Sequence, residues 1–309
     1  MHPFTAVFFN EFLTHDTSVQ TTRLAVIGNP VAHSRSPQIH AFFAAAAGHA
    51  VDYARIESPL DQFVATARAF ADSGARGCNV TVPFKGEAFA ACARVSERAR
   101  RANAVNTIAF DADGWFGDNT DGAGLVRDIE LNAGVALRGK RVLVLGSGGA
   151  AAGALDPLLA ARPAALVVAN RTPARAQALI ERFAASAARL DVNLSAASLE
   201  APGADFDVLV NATAASLQGA VPPLPAGTLK PGALALDMMY GAAALPFMRW
   251  ARAQGAVARD GLGMLVEQAA QAYVVWLGMQ PGTFQVLTEL RREVDAHIAA
   301  AARAAESCA

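Results

Sequence analysis

The sequence predicts an α/β protein built on parallel sheets, and three observations carry that expectation. From Arg23 onward short apolar runs alternate with helical stretches, the pattern of successive βαβ units. One run, RVLVL at 141–145, is apolar after its first residue and enters Gly146-Ser147-Gly148-Gly149 followed by a small-residue helix. The length, 309 residues, fits two domains of roughly 150 residues each.

The elements follow in order. Residues 24–28 read as a first strand, closed by the Gly28-Asn29-Pro30 turn. A helix over 37–47 opens on Pro37, whose missing N–H is no loss in a first turn. A second helix over 59–71 leads to a strand at 76–82, a helix at 85–94 and a strand at 105–110. After the strand at 141–145, further buried strands are expected at 165–169, 206–210 and 233–236. Residues 1–22 lack periodicity and read as a flexible leader or an over-extended start, and 222–225 as a proline-rich surface loop. There is no internal repeat.

The composition is 53% hydrophobic and 17% charged, with a net charge of −1. That is enough apolar material for sizeable cores, and it gives no electrostatic reason to expect a nucleic-acid or membrane partner. The mean hydropathy is positive, but it comes largely from alanine and valine. No uninterrupted apolar stretch reaches the roughly 18 residues of a membrane-spanning helix. The first 19 residues lack a basic segment and carry Glu11 and Asp16, which argues against a signal peptide. Cys78, Cys92 and Cys308 show no CxxC or metal-ligand spacing. The expectation is a cytoplasmic protein with no metal.

VLVLGSGGAAAGAL (142–155) reads as strand, glycine turn and helix. Glycines let the backbone approach a pyrophosphate, and the free N–H groups of the helix start hold it. The match to GxGxxG is partial: Gly146 and Gly148 fit, and Ala151 takes the third position. The next strand ends in Asn170-Arg171-Thr172, with Arg175 one turn on. A carboxylate there would select the ribose 2′-hydroxyl of NAD; guanidinium groups attract a 2′-phosphate instead. The cofactor expected is therefore NADP, the plainer alternative being a solvated helix start.

Three further segments hold polar residues in apolar surroundings. In residues 28–37, Ser34 and Ser36 precede a helix. Either could be an N-cap, but two serines at a positive helix terminus suit a small carboxylate. In residues 79–85, Asn79, Thr81 and Lys85 lie where a strand passes into a helix. Of the 26 basic residues only Lys85, Lys140 and Lys230 are lysines, and lysine, unlike arginine, can lose its proton at an accessible pH. Lys85 is accordingly the candidate acid–base group, the alternative being a surface lysine in a first turn. In residues 117–122, Asp118 and Asp121 flank Asn119-Thr120; alone, these read as helix-capping or Asx-turn acids.

Together these segments resemble the shikimate dehydrogenase family over residues 24–292. The matching stretches are GNPVAHSRSP, NVTVPFK, AVNT, GDNTDG, GSGGA, NRT and DGLGMLVEQAA. The resemblance implies two α/β domains with a cleft between them. The substrate-binding domain is expected over 1–121 plus 261–309, and a Rossmann-type NADP-binding domain over 122–260. It implies reversible oxidation of shikimate to 3-dehydroshikimate with NADP, in chorismate and aromatic amino-acid biosynthesis, by a monomer or homodimer. Carried over by position, Ser34 and Ser36 bind the substrate carboxylate, and Thr81, Asn106 and Gln268 the ring hydroxyls. Lys85 and Asp121 sit at the hydroxyl being oxidised, and Tyr240 also reaches substrate. Gly146, Ser147, Gly148, Gly149 and Ala150 hold the pyrophosphate, and Asn170, Arg171, Thr172 and Arg175 the adenosine phosphate. Met238 and Gly261 line the nicotinamide side, and Glu97 matches a position near the cofactor.

Three features depart from the family pattern. The usual NATSxG is Asn211-Ala212-Thr213-Ala214-Ala215-Ser216, a threonine usual after the tyrosine is Leu245, and the leader is extra. Other readings are a paralogue preferring quinate or an amino analogue, a silent dinucleotide-binding regulator, or a two-domain dehydrogenase of folate or amino acids. The serine pair speaks against the last, and the Lys85/Asp121 pair against the silent regulator.

Overall fold

The structure, a computed structural model, describes residues 21–221 and 223–307. The expected leader thus falls mostly outside the described residues, as do Pro222 of the proline-rich loop and Cys308. Thr22 already belongs to the first strand.

The first sheet holds β1 (Thr22–Gly28), β2 (Val51–Glu57), β3 (Gly77–Val80), β4 (Arg94–Val95), β5 (Thr107–Ala109) and β6 (Phe116–Asp118), in the order β2-β1-β3-β5-β6-β4. β1 pairs in parallel with β2 and β3, as βαβ units require. β5 is antiparallel to both β3 and β6, so this sheet is mixed and not purely parallel. The reason lies in the connection: β5 reaches β6 through a short turn in which the Gly114 N–H bonds the Asp111 carbonyl. Such a turn can join only antiparallel strands.

The second sheet holds β7 (Arg141–Leu145), β8 (Ala165–Asn170), β9 (Asn193–Ser198), β10 (Phe206–Asn211), β11 (Leu229–Asp237) and β12 (Val257–Arg259). Its order is β12-β11-β10-β7-β8-β9, parallel throughout. Chain order reverses beside β7, between β8 and β10, and an open doubly wound sheet binds ligands at the strand carboxyl ends at such a point. Val142 to Leu145 are fully buried, as expected of a central parallel strand covered on both faces.

The helices are α1 (Ser36–Ala47), α2 (Phe63–Asp72), α3 (Lys85–Ala91), α4 (Glu97–Ala102), α5 (Asp121–Arg127), α6 (Gly149–Ala160), α7 (Pro173–Glu181), α8 (Ala184–Leu190), α9 (Leu245–Ala253), α10 (Leu262–Leu277) and α11 (Phe284–Ser307). Two start or stop inside their expected bounds. Residues 59–62 form a turn closed by the Gln62 N–H on the Pro59 carbonyl, so α2 begins at Phe63. α3 stops at Ala91 because Cys92 is extended and Arg94 pairs with Phe116.

The carboxy-terminal helices return to the first half of the chain. Ile39 and Phe43 of α1 share a buried cluster with Leu262, Val266, Ala270 and Tyr273 of α10 and Val286, Leu290 and Val294 of α11. α5 lies at the junction of the two halves. A Cβ on Gly122 would meet the Gly153 carbonyl of α6 at 2.3 Å, and one on Gly124 the Gln268 backbone nitrogen of α10 at 2.5 Å. These glycines let three helices approach closely. No described helix is long and apolar enough to cross a membrane.

Candidate active site

A cleft of about 440 Å³ gathers residues from both halves of the chain. Ser34 comes from the loop before α1, Thr81 from the turn after β3, and Ser36, Lys85 and Asp121 are the first residues of α1, α3 and α5. Asn106 precedes β5, Gln268 lies on α10, and Ala150 opens α6. Met238, Tyr240 and Gly261 close the far wall. The chain therefore brings together every expected substrate residue and three of the expected cofactor residues.

At the floor, Lys85 Nζ donates to Asp121 Oδ2 at 2.5 Å. The pair is mostly shielded, with side chains 29% and 12% exposed. Asp121 is not the cap of α5: Thr120 holds that position, and no side chain caps the helix. Its second oxygen, Oδ1, accepts from Asn106 Nδ2 at 2.8 Å. The same Asn106 nitrogen reaches Thr120 Oγ1 at 3.0 Å and Gln268 Oε1 at 3.3 Å. Asn106 Oδ1 accepts from the Thr120 N–H at 2.9 Å. Asn106 is thus the buried hub that orients the acid, and Asn79, donating to the Asn106 carbonyl at 3.2 Å, supports it from behind.

The other acid of the motif does different work. Arg98 grips both oxygens of Asp118 at 2.7 and 2.5 Å, and the Ser96 hydroxyl donates to it at 2.5 Å. Burial alone would raise this carboxyl, but Arg98, Ser96 and the Asn119 N–H hold it below the usual carboxylate range. Asp118 therefore stays ionised as an anchor for the loop that carries Asp121.

Ser34 Oγ and Ser36 Oγ lie 3.2 Å apart, and the Ser36 N–H donates to Ser34 Oγ at 3.2 Å. Arg35, not a serine, occupies the α1 cap position and makes no side-chain cap bond. Ser36 is thus free of capping duty, with its hydroxyl beside that of Ser34. Across the cleft, burial raises the Tyr240 hydroxyl above its ordinary range, so it stays a protonated donor.

The glycine loop fits a dinucleotide. Gly146 has φ +98°, a conformation that favours glycine, and a Cβ there would come within 3.1 Å of the Ala212 carbonyl. Gly148, Gly149 and Ala150 are exposed, and no side chain caps α6. A Cβ on Gly148 or Gly149 would meet nothing within 4 Å, so the loop lies open at both glycines. Asn170 Nδ2 donates to Ser147 Oγ, and its Oδ1 receives the Thr172 N–H at 3.0 Å, tying the loop to the end of β8. Arg171 and Arg175 are exposed and make no ion pair among the described residues. Their charges remain available to a phosphate.

Glu97 stands apart. Its side chain is 69% exposed at the start of α4 and pairs with Arg100 and Arg101. It does not line the cleft, and it approaches the cofactor helix only indirectly, because Arg101 also grips Asp156 of α6 at 2.6 and 2.8 Å.

The altered NATSxG loop is rebuilt with its own serine. Ser216 Oγ donates to the buried Asp237, which also accepts from Asn211 Nδ2 at 3.1 Å and from the Met239 N–H at 2.9 Å. Burial pushes the Asp237 carboxyl up against these donors. The network fixes the turn that carries Met238. At Leu245, now the first residue of α9, the helix has Ala244 at its cap position and no side-chain cap.

Sequence reasoning missed Arg98, Thr120 and Arg55, the last donating to the Ser34 carbonyl at 2.9 and 2.6 Å. For Arg55 a partial signal existed: Val51, Tyr53 and Ile56 are β-prone residues in a short stretch, although VDYARIE does not alternate strictly. Arg98 and Thr120 act through contacts that no local pattern announces. Among the described residues no group of three His, Cys, Asp or Glu could hold a metal.

Comparison with known proteins agrees with the geometry. Residues 26–108 match the family model described as the shikimate dehydrogenase substrate binding domain, and residues 129–218 that described as shikimate / quinate 5-dehydrogenase. The chain is 59% identical to a shikimate dehydrogenase (NADP(+)) of Methylibium petroleiphilum, over 88% of this chain and 95% of that one. Among solved structures, an Ael1 enzyme from Pseudomonas putida superposes with TM-score 0.81 at 46% identity, covering 87% of this chain and 98% of that one. A Thermus thermophilus shikimate 5-dehydrogenase in complex with NADP(H) and shikimate gives TM-score 0.74 at 33% identity, covering 88% and 99%. With two family models in tandem and relatives matching nearly end to end, the chain belongs to the shikimate dehydrogenase family.

Proposed function

We propose that the chain catalyses the NADP-dependent, reversible reduction of 3-dehydroshikimate to shikimate, a step of chorismate and aromatic amino-acid biosynthesis. The observation that carries this reading is the Lys85–Asp121 pair, 2.5 Å apart, in one cleft with both serines and with Ala150 of the glycine loop. Proton chemistry, carboxylate recognition and a dinucleotide site thereby converge.

Ser34, Ser36 and Tyr240 hold the substrate carboxylate end, and Thr81, Asn106 and Gln268 the ring hydroxyls. NADP, when bound, supplies the hydride acceptor, and NADPH the hydride donor. In oxidation the neutral Lys85 amine takes the hydroxyl proton as the hydride leaves the same carbon; in reduction the ammonium returns it. Asp121 accepts from Nζ and so keeps the amine in place beside that hydroxyl. The substrate-binding part comprises 1–121 and 261–309, with 122–260 as the cofactor-binding part, in a cytoplasmic monomer or homodimer.

The test is the absorbance of NADPH formed with shikimate and with quinate, each with NADP and with NAD. The highest kcat/KM is expected for shikimate with NADP. A preference for quinate transfers the reading to a paralogue, and no turnover of either substrate overturns it. Arg171→Ala is expected to raise the NADP KM about tenfold to a hundredfold, the worth of a charge-assisted bond, and to leave the NAD KM near its starting value. An unchanged NADP KM would remove Arg171 from the phosphate site.

A further inference from the structure

We propose that Arg55 is a positioning residue for substrate-carboxylate recognition, acting through the backbone of Ser34. The proposal rests on the reading that Ser34 and Ser36 bind the carboxylate. Arg55 lies on β2, and its Nε and Nη2 donate to the Ser34 carbonyl at 2.9 and 2.6 Å. This two-pronged grip on one oxygen fixes the peptide plane immediately before Arg35 and Ser36, and with it the direction of the Ser34 side chain. The loop has other ties: the Ser34 N–H bonds the Val31 carbonyl at 3.0 Å, and Arg35 bonds Glu293 of α11 at 3.0 Å. Neither constrains the Ser34 carbonyl. Only Arg55 links that oxygen to the sheet among the described residues.

The same strand face supports the site at a second point. Tyr53, two residues earlier and therefore on the same side of β2, donates to Asn79 Oδ1 at 2.6 Å. Asn79 in turn holds the Asn106 carbonyl. β2 thus braces the serine loop through Arg55 and the hydroxyl-binding hub through Tyr53. Arg55 is exposed and makes no ion pair among the described residues, so its charge is not spent on a neighbouring acid. A guanidinium polarising the Ser34 peptide beside a carboxylate site also favours the bound anion.

The experiment compares Arg55→Ala, Arg55→Lys and Ser34→Ala in the full chain, using shikimate and its uncharged methyl ester. Arg55→Ala is expected to raise the shikimate KM about tenfold, with kcat and the NADP KM within twofold of the parent. The methyl ester KM should change less than threefold, a discrimination that general loosening of the fold would not give. Arg55→Lys, with a single-point donor, should fall between. An unchanged shikimate KM in Arg55→Ala, or equal losses on acid and ester, overturns the proposal. If Ser34→Ala leaves the shikimate KM unchanged while Arg55→Ala raises it, Arg55 meets the carboxylate directly, and both the indirect role and the Ser34 assignment fail. If Ser34→Ala raises the KM and Arg55→Ala does not, the serine reading stands and the Arg55 role alone is lost.

Discussion

Replacing Lys85 with alanine is expected to lower kcat by about a hundred- to ten-thousand-fold, the usual worth of general acid–base help, with little change in the shikimate KM. The expectation follows from position and type. Lys85 Nζ sits on Asp121 at the cleft floor, and an alanine leaves the hydroxyl proton no recipient there. Lys85→Arg sharpens the test, because arginine keeps the charge and a donor for Asp121 but does not release a proton in this pH range. Its kcat should be as low as that of the alanine variant. If Lys85→Arg turned over at near the parent rate, Lys85 would be an electrostatic anchor and not the proton carrier. Steady-state kinetics with saturating NADP, after confirming an unchanged thermal midpoint, gives the answer.

The second large effect concerns stability. Gly124→Ala places a Cβ 2.5 Å from the Gln268 backbone nitrogen and 2.8 Å from its Cα. These are backbone atoms of a helix, so α5 and α10 must separate. Overpacking of this kind costs about 1–3 kcal/mol. Gln268 carries the Oε1 that meets Asn106 Nδ2, so the shikimate KM should rise as well, while the cofactor loop is untouched. Gly282→Ala is the control: its Cβ would meet nothing within 4 Å, and a change within about 0.5 kcal/mol is expected. Denaturant unfolding of both variants measures this, and equal midpoints for parent and Gly124→Ala would show that the helices are not in such close contact.

Much of the fold could be read along the chain where the signal is local. The parallel strands β7, β8 and β10 are mostly apolar runs, with Asp207 the one interior break, because both of their faces are covered, and each was expected within a residue of its bounds. β2, β4, β6, β9 and β12 were not expected. Each exposes at least one face or is very short, so none forms an apolar run. Missing β6 also concealed the hairpin that makes the first sheet mixed.

By itself the sequence determined the residue types at the site and the identity of the cofactor half. A glycine turn after an apolar strand, and arginine in place of an acid after the next strand, are short-range signals. They depend on backbone freedom and charge within a few residues. What only the tertiary structure decided is pairing. Asp121 read alone as a helix cap, and it holds Lys85, 36 positions away. Asn106 meets Gln268 across 162 positions, and Arg55 finds the Ser34 carbonyl on a neighbouring loop. Glu97, matched to a cofactor position, pairs with arginines of its own helix. Such contacts have no local signature, because their energy comes from burying polar groups against partners that only the folded chain brings within reach.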